Sequence, residues 1–419
     1  MNRVWLIGLL ALSSMLSAAD KHMGVATCAS SVCHGSSSER SGANILHSEY
    51  VIWGQRDPHA GAYATLLNAQ SEKIARNLGI GPAHEAKACL VCHSDYVPKA
   101  ERGPRFQLSD GVGCESCHGG SERWLSSHTE RGASHDENLQ RGLTLLQDTD
   151  VRAELCASCH VGDSKRLADH NIMGAGHPRL QFELATYSRL WPAHYRDDQA
   201  YRERKHVPDS LELWAAGQLR SARNILQGLG SDRFMATPLW PELAFFDCHA
   251  CHASMDSEKW QPRAAGKLPP GAVRLNDSAL LMVGWLLDAS DAGAAQQWRE
   301  GIADLHAASQ QGRAAVEQVS SKLLRQLEDF SSRLAQQPAL QPQPAVLFKR
   351  ISEDALNAAF NDYMTAEQVL MVLALLAEKQ QADPTMLDDL YQSMADQHQF
   401  RSAEFLRALQ QYRQGSAQQ

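Results

Sequence analysis

The chain has 419 residues, of which 43% are hydrophobic and 21% charged, proportions that exclude wholesale disorder. It carries 40 Lys and Arg against 48 Asp and Glu, a formal net charge of −8 at pH 7. This balance argues against a nucleic-acid partner, and no apolar run approaches the roughly 18–20 residues of a transmembrane span.

Residues 1–19 are predicted to be a secretory signal peptide. Arg3 supplies a positive start, Val4–Leu16 is a short apolar stretch, and Ser17–Ala19 gives the small residues that precede a cleavage site. An apolar stretch of this length is too short to anchor the chain in a membrane. We therefore expect cleavage near Ala19 and export, most simply to a bacterial periplasm.

The ten cysteines form five pairs, and a histidine directly follows the second cysteine of each pair. Four pairs have the spacing C-x-x-C-H, and the first has four residues between its cysteines. C-x-x-C-H is the attachment signature of c-type haem, in which two thiols bind the macrocycle and the adjacent imidazole is the proximal iron ligand. The predicted attachment sites are Cys28 and Cys33, Cys89 and Cys92, Cys114 and Cys117, Cys156 and Cys159, and Cys248 and Cys251; the predicted proximal ligands are His34, His93, His118, His160 and His252.

Three other uses of paired cysteines fit this pattern less well. A zinc site needs two pairs for each metal, so five pairs leave one unused. A disulfide scaffold does not require a histidine after each pair and is usually far shorter. A thioredoxin-like redox motif occurs once or twice in a chain rather than five times. We therefore expect five covalently attached haem c groups.

Each predicted iron has a second axial position, and histidine is the expected ligand there. All but two of the remaining histidines lie upstream of residue 252, in the part that contains the cysteines. Methionine is the rival ligand, but Met173, Met235 and Met255 show no comparable clustering near the motifs. Bis-histidine coordination is therefore the expected default.

Two sequence blocks carry a family resemblance. One is GVGCESCHGG at residues 111–120, around the third motif, and the other is WGQRDPHA at residues 53–60. With these blocks, residues 27–165 resemble the cytochrome c-554 family of multihaem cytochromes, which is related to the hydroxylamine oxidoreductase group. The first motif's spacing, a fifth haem and a long C-terminal extension depart from that family.

The resemblance implies a distal ligand for two of the haems. It implies that His59 lies opposite His118, on the third haem. It also implies that His128, ten residues beyond His118, lies opposite His34 on the first haem.

The resemblance also implies that one haem has no distal ligand from the protein, and we assign this to the second haem, on His93. Such an iron would be open to a small molecule. Either His84 or His47 could close it.

Beyond residue 165 the candidates come from the residues alone. His177 lies on a glycine-rich turn that ends at a proline, where the backbone can approach a flat macrocycle closely. Arg179 beside it could pair with a haem propionate. His194 lies among aromatic residues. We expect His177 and His194 to be the distal ligands of the fourth and fifth haems.

The expected fold is mainly α. Residues 20–265 are predicted to form a pentahaem domain of short helices and loops, because four motifs between Cys28 and His160 leave too little chain for a conventional apolar core. Residues 272–419 are predicted to form an α-helical domain. Within it, Thr365 with Gln368 fits a capping box, and Asp383 before a proline fits a helix start. This domain either covers haem edges and stabilises the fold, or docks a redox partner.

These features predict a periplasmic cytochrome that relays electrons between a protein donor and a protein acceptor. The acidic chain favours a partner with a basic docking face. The alternative is an oxidoreductase that acts on a small nitrogen or sulfur compound at an open haem. All five motifs end in histidine, and none has the lysine-terminated form that marks the catalytic haem of related nitrite reductases.

Overall fold

The computed structural model describes residues 20–40, 45–235, 240–252, 263, 268–269, 271–337 and 341–416. The predicted signal peptide, residues 1–19, lies outside the described residues. The fold is mainly α, as expected. Among the described residues there is no β-strand, and extended pairing is limited to two isolated bridges, one between His22 and Arg102 and one between Phe246 and Leu275.

The N-terminal part consists of short helices joined by loops. The α-helices are α1 (Glu49–Arg56), α2 (Ala62–Thr65), α3 (Ala69–Leu78), α4 (Lys87–His93), α5 (Cys114–His118), α6 (His135–Gln140), α7 (Thr149–His160), α8 (His170–Gly174), α9 (Leu184–Leu190) and α10 (Gln199–Arg202). One 3₁₀ turn, Val25–Thr27, precedes α1, and others lie between the helices at Pro58–Gly61, Lys99–Glu101, Leu108–Asp110 and Ser127–Thr129.

The C-terminal part contains longer helices that pack as a bundle. They are α11 (Ser210–Leu229), α12 (Asp232–Met235), α13 (Ser278–Asp288), α14 (Ala292–Ser309), α15 (Arg313–Gln336), α16 (Pro344–Leu356), α17 (Tyr363–Lys379), α18 (Asp388–Ser393) and α19 (Ser402–Ser416). The described residues of this part also form 3₁₀ turns at Leu243–Phe245, Cys248–Ala250 and Pro384–Leu387.

One predicted helix start is confirmed and one is wrong. Asp383 caps the turn that begins at Pro384, since its side chain accepts a hydrogen bond from the Thr385 amide at 3.0 Å. The capping box at Thr365 does not form. α17 begins earlier, because Asp362 accepts the Thr365 amide at 2.7 Å and is itself the N-cap.

The apolar core is distributed very unevenly along the chain. One large cluster runs from Ala153 on α7 through α11 to the last helix. The part that carries the first three motifs has a separate cluster of only four buried residues, Leu66, Ala75, Ala83 and Leu90. The N-terminal part therefore has little apolar packing of its own, as expected for chain that surrounds large prosthetic groups.

α11 connects the two parts. Trp214 on this helix is fully buried, and α11 packs against α7 and α9 on one side and against α13 and α15 on the other. Asp209, its N-cap, also pairs with Lys379 at the end of α17, at 3.2 Å. The boundary near residues 265–272 stays a prediction, but the apolar core continues across it.

Candidate haem-iron ligand sites

Three of the five motifs lie on α-helices, which brings their reactive side chains together. The motifs of Cys89, Cys114 and Cys156 lie on α4, α5 and α7, and each of these helices ends at the motif histidine. On a helix, residues three apart share a face, so both thiols of a pair point the same way. All ten cysteines are unpaired thiols, so no disulfide competes with haem attachment.

Each motif histidine lies opposite a second histidine. The distances between ring centroids are 6.3 Å for His34 and His128, 6.4 Å for His93 and His177, 6.1 Å for His118 and His194, 6.0 Å for His160 and His59, and 6.3 Å for His252 and His170. The narrow spread is notable because the partners come from five separate places in the chain. No two motif histidines share a partner.

This spacing fits one iron between two imidazoles. A histidine nitrogen binds zinc, another first-row metal, at about 2.0 Å. In a five-membered ring with bonds of about 1.33 Å, each atom lies about 1.1 Å from the centre. Two imidazoles on opposite sides of one metal therefore have centroids about 6.3 Å apart. The residues present thus fit a haem with two axial histidines at each motif.

Carboxylates orient two of these rings. Glu49 lies 3.0 Å from Nδ1 of His34, and Asp57 lies 2.9 Å from Nδ1 of His59. A carboxylate accepts here, so Nδ1 carries the proton and Nε2 is left with the lone pair that binds a metal. Burial acts to raise the pKa of Asp57, but hydrogen bonds from His59 and Trp191 outweigh it and lower the pKa.

Backbone carbonyls orient three more rings in the same way. Nδ1 donates to a carbonyl oxygen in His93, His128 and His177; the acceptors are Ala62 at 3.1 Å, Leu125 at 2.6 Å and Pro178 at 2.7 Å. Burial lowers the pKa of both His118 and His160 to about 4. These two rings are therefore neutral at pH 7, which is the form that coordinates metal.

The structure changes most of the pairings expected from the sequence. His128 lies opposite His34, as the resemblance implies. His59, however, lies opposite His160 rather than His118, which faces His194 instead.

The second motif is also paired differently. His177 faces His93, the site expected to be open, rather than the fourth or fifth motif. His47 and His84, the residues named as able to close that site, do not face it. His47 donates to the Cys33 carbonyl at 2.6 Å, and the His84 ring contacts Tyr63.

His170 was missed at the sequence level. It begins α8 and faces His252 of the fifth motif, more than 80 residues away in the chain. Glu242 connects the two segments, because it accepts the backbone amide of His170 at 2.8 Å and caps the turn that precedes Cys248. No local pattern signals this pairing, since tertiary contacts alone bring the two segments together.

Arg179, which the sequence suggested as a partner for a haem propionate, pairs with a carboxylate of the protein instead. Its guanidinium pairs with Glu367 on α17 at 2.6 Å and donates to Gln397 at 3.2 Å. It also lies over the ring of Tyr363. Arg179 therefore ties the turn that carries His177 to the C-terminal helices.

Contacts between motifs give the attachment sites an order. The thiols of Cys28 and Cys114 are hydrogen-bonded, as are those of Cys92 and Cys159, so the first motif adjoins the third and the second adjoins the fourth. Trp191 joins the third site to the fourth, because it donates to Asp57 at 2.7 Å and its ring contacts His194.

The fifth site joins the second through α8. His170 starts this helix, and His177 follows it on the next turn, so one short segment supplies a histidine to each site. The sites therefore follow one another in the order first, third, fourth, second, fifth.

Among the described residues, no helix combines the length and apolar character needed to cross a bilayer.

Residues 27–119 match the family model described as cytochrome c554 and c-prime. Neither the curated proteins nor the solved structures contain a match to the chain. The matched range includes the first three motifs and His59, and it lies inside the range expected from the resemblance. Over residues 27–119 the chain is thus similar to c-type cytochromes of the cytochrome c554 family, and this similarity supports covalently bound haem c.

Proposed function

We propose that this protein is a periplasmic cytochrome with five covalent haem c groups, each held by two histidines, that relays electrons between redox protein partners. One observation carries the proposal: every motif histidine faces a second histidine at 6.0–6.4 Å. A haem bound at such a site supplies one-electron redox chemistry through its iron.

The axial pairs favour a relay over an enzyme. An iron that holds an imidazole on both faces has no open position for a substrate. The oxidoreductase alternative depended on an open second haem, and at that site His177 lies 6.4 Å from His93. The geometry therefore supports the carrier best.

The order of the sites supports the same proposal. The chain holds the first, third, fourth, second and fifth sites in sequence, with direct contact between the thiols of two neighbouring pairs. The hydrogen bonds at Nδ1 hold the imidazole rings in fixed orientations. The chain thus sets the spacing of the proposed haems and the ligands of their irons, and an electron carrier needs no substrate site. The two ends of this series are the natural points of entry and exit.

The mature chain expected after export would begin with residues that contact the rest of the fold. Asp20 and Lys21, the first residues of the expected mature protein, pair with Arg123 and Glu122, the latter at 2.7 Å. The segment after the predicted cleavage site is thus part of the fold. With a net charge of −8, the protein would suit a partner with a basic face.

The proposal is tested on the mature holoprotein. We expect a pyridine haemochrome assay to return five haems per chain and the EPR spectrum of the oxidised protein to contain only low-spin signals. Three or fewer haems per chain would contradict the count. A high-spin signal that persists across preparations would contradict complete bis-histidine ligation and favour the enzyme.

A further inference from the structure

A cavity lies inside the C-terminal helical part, between α13, α14 and α16. Its empty volume is about 530 Å³, open solvent at the mouth included. Arginine and histidine side chains form much of its polar lining, together with Asp277 and Asp354. None of the residues that line this cavity belongs to the proposed haem attachment sites or axial ligands.

His306 lines this cavity and has one ring nitrogen without a partner among the described residues. The residue is only 2% exposed, and its Nε2 donates to Asp277 at 2.9 Å. Its Nδ1 is buried and has no hydrogen-bond partner in the protein. Buried polar atoms are almost always paired, so this nitrogen calls for a partner from outside the protein.

Among the described residues, one arginine that lines the cavity has no carboxylate partner. Arg263 lies between Asp277, at 3.0 Å, and Asp362, and Arg299 pairs with Asp288. Arg274 is partly buried and makes no ion pair with any described carboxylate. Burial, together with the neighbouring charge of Arg263, lowers its pKa.

The cavity adjoins the fifth motif. The carbonyl of Arg274 accepts the backbone amide of Asp247 at 2.9 Å, and Asp247 directly precedes Cys248. A haem attached there would bring two propionates into this part of the molecule.

We propose that this cavity is an anion site, in which Arg274 and His306 bind an anionic oxygen group. Arg274 supplies a charge-assisted donor, and His306, held by Asp277 at Nε2, supplies a second donor at Nδ1. The group is either a propionate of the haem at the fifth motif or a small free anion such as nitrate. Only the first source rests on the proposed function.

A crystal structure of the wild-type holoprotein, soaked in sodium bromide, distinguishes the two sources. Density that joins the porphyrin to Arg274 identifies a propionate. An anomalous peak within hydrogen-bonding distance of Arg274 and His306 identifies a free-anion site. A cavity that holds only water overturns the proposal. A colourless protein that still shows the bromide peak refutes the haem proposal and leaves the anion site standing.

One variant, Arg274→Gln, tests the site in solution, with Arg325→Gln on the exposed face of α15 as its control. If the group is a propionate, we expect Arg274→Gln to shift the midpoint potential of one haem to a more negative value while the EPR spectrum stays low-spin. If it is a free anion, we expect the nitrate dissociation constant from calorimetry to rise at least tenfold. An Arg274→Gln protein that matches the control in both measurements overturns the proposal, and the wild-type crystal decides the question if this variant does not fold.

Discussion

Replacement of His177 by alanine tests the ligand pair that differs most from the sequence-based expectation. Among the described residues, the His177 side chain makes one hydrogen bond, from its Nδ1 to the adjacent Pro178 carbonyl, so we expect its removal to leave the fold largely intact. The ring opposite it, His93, keeps its own hydrogen bond to Ala62. We therefore expect the variant to retain all its haem while one iron loses its distal ligand.

The size of the effect follows from the number of sites. With one of five irons opened, about one-fifth of the haem should change from low-spin to high-spin in the oxidised protein. EPR spin quantification measures this directly, and carbon monoxide binding to the reduced protein should reach about one equivalent per chain. The open iron should then bind small ligands that the wild type excludes.

The matched control is His84→Ala. His84 was an equally reasonable ligand from the sequence, but its ring contacts Tyr63 instead of a motif histidine. We expect no high-spin signal from this variant. If His177→Ala stays fully low-spin, or if His84→Ala produces the high-spin fraction, the assignment of axial pairs from ring spacing is wrong.

Three further predictions concern the stability of the fold and the midpoint potential of one haem. Glu115, which is 3% exposed, accepts the backbone amides of three residues at 2.7–2.8 Å. Glu115→Ala should therefore lower the free energy of unfolding by at least about 3 kcal/mol, because each donor left without its acceptor costs about 1–3 kcal/mol. Glu122→Gln, at an exposed position nearby, should leave the denaturation midpoint unchanged. Asp57→Asn should raise the midpoint potential of one haem in a potentiometric titration, because the His59 ring then donates less electron density to the iron. An unchanged potential would exclude this effect of Asp57 on the iron. Leu226 on α11 is 1% exposed, so Leu226→Ala should lower the free energy of unfolding, measured with denaturant, by about 2–5 kcal/mol. A loss well below that range would show that α11 does not join the two parts into one core.

The haem-attachment residues can be predicted from the sequence because the attachment chemistry is local. Two thiols and a histidine within one short motif can be recognised whatever the fold around them. The family resemblance around the third motif also identifies His128, ten residues beyond His118, as a candidate ligand. The mainly α fold and the helical C-terminal part follow from equally local patterns, although the start of α17 shows how a neighbouring aspartate can displace an expected cap.

The remaining ligand pairs depend on contacts between distant segments. His59 faces His160 because Asp57 and Trp191 hold its segment beside the fourth site. His170 reaches the fifth site through Glu242. A single sequence carries no periodicity or spacing that encodes such contacts, so chain order is a poor guide to which histidine serves which iron.

The scarcity of apolar packing before α7 has a consequence for how the molecule is made. A single apolar cluster of four residues is too small to hold roughly a third of the polypeptide compact, whereas the later helices share one extensive interior. If haem is attached at the proposed sites, we expect the later helices to fold first, while the leading segment stays accessible to the enzymes that attach the porphyrin. Each haem would then add its own apolar surface, and the cofactors would form much of the core around which the first part of the protein folds.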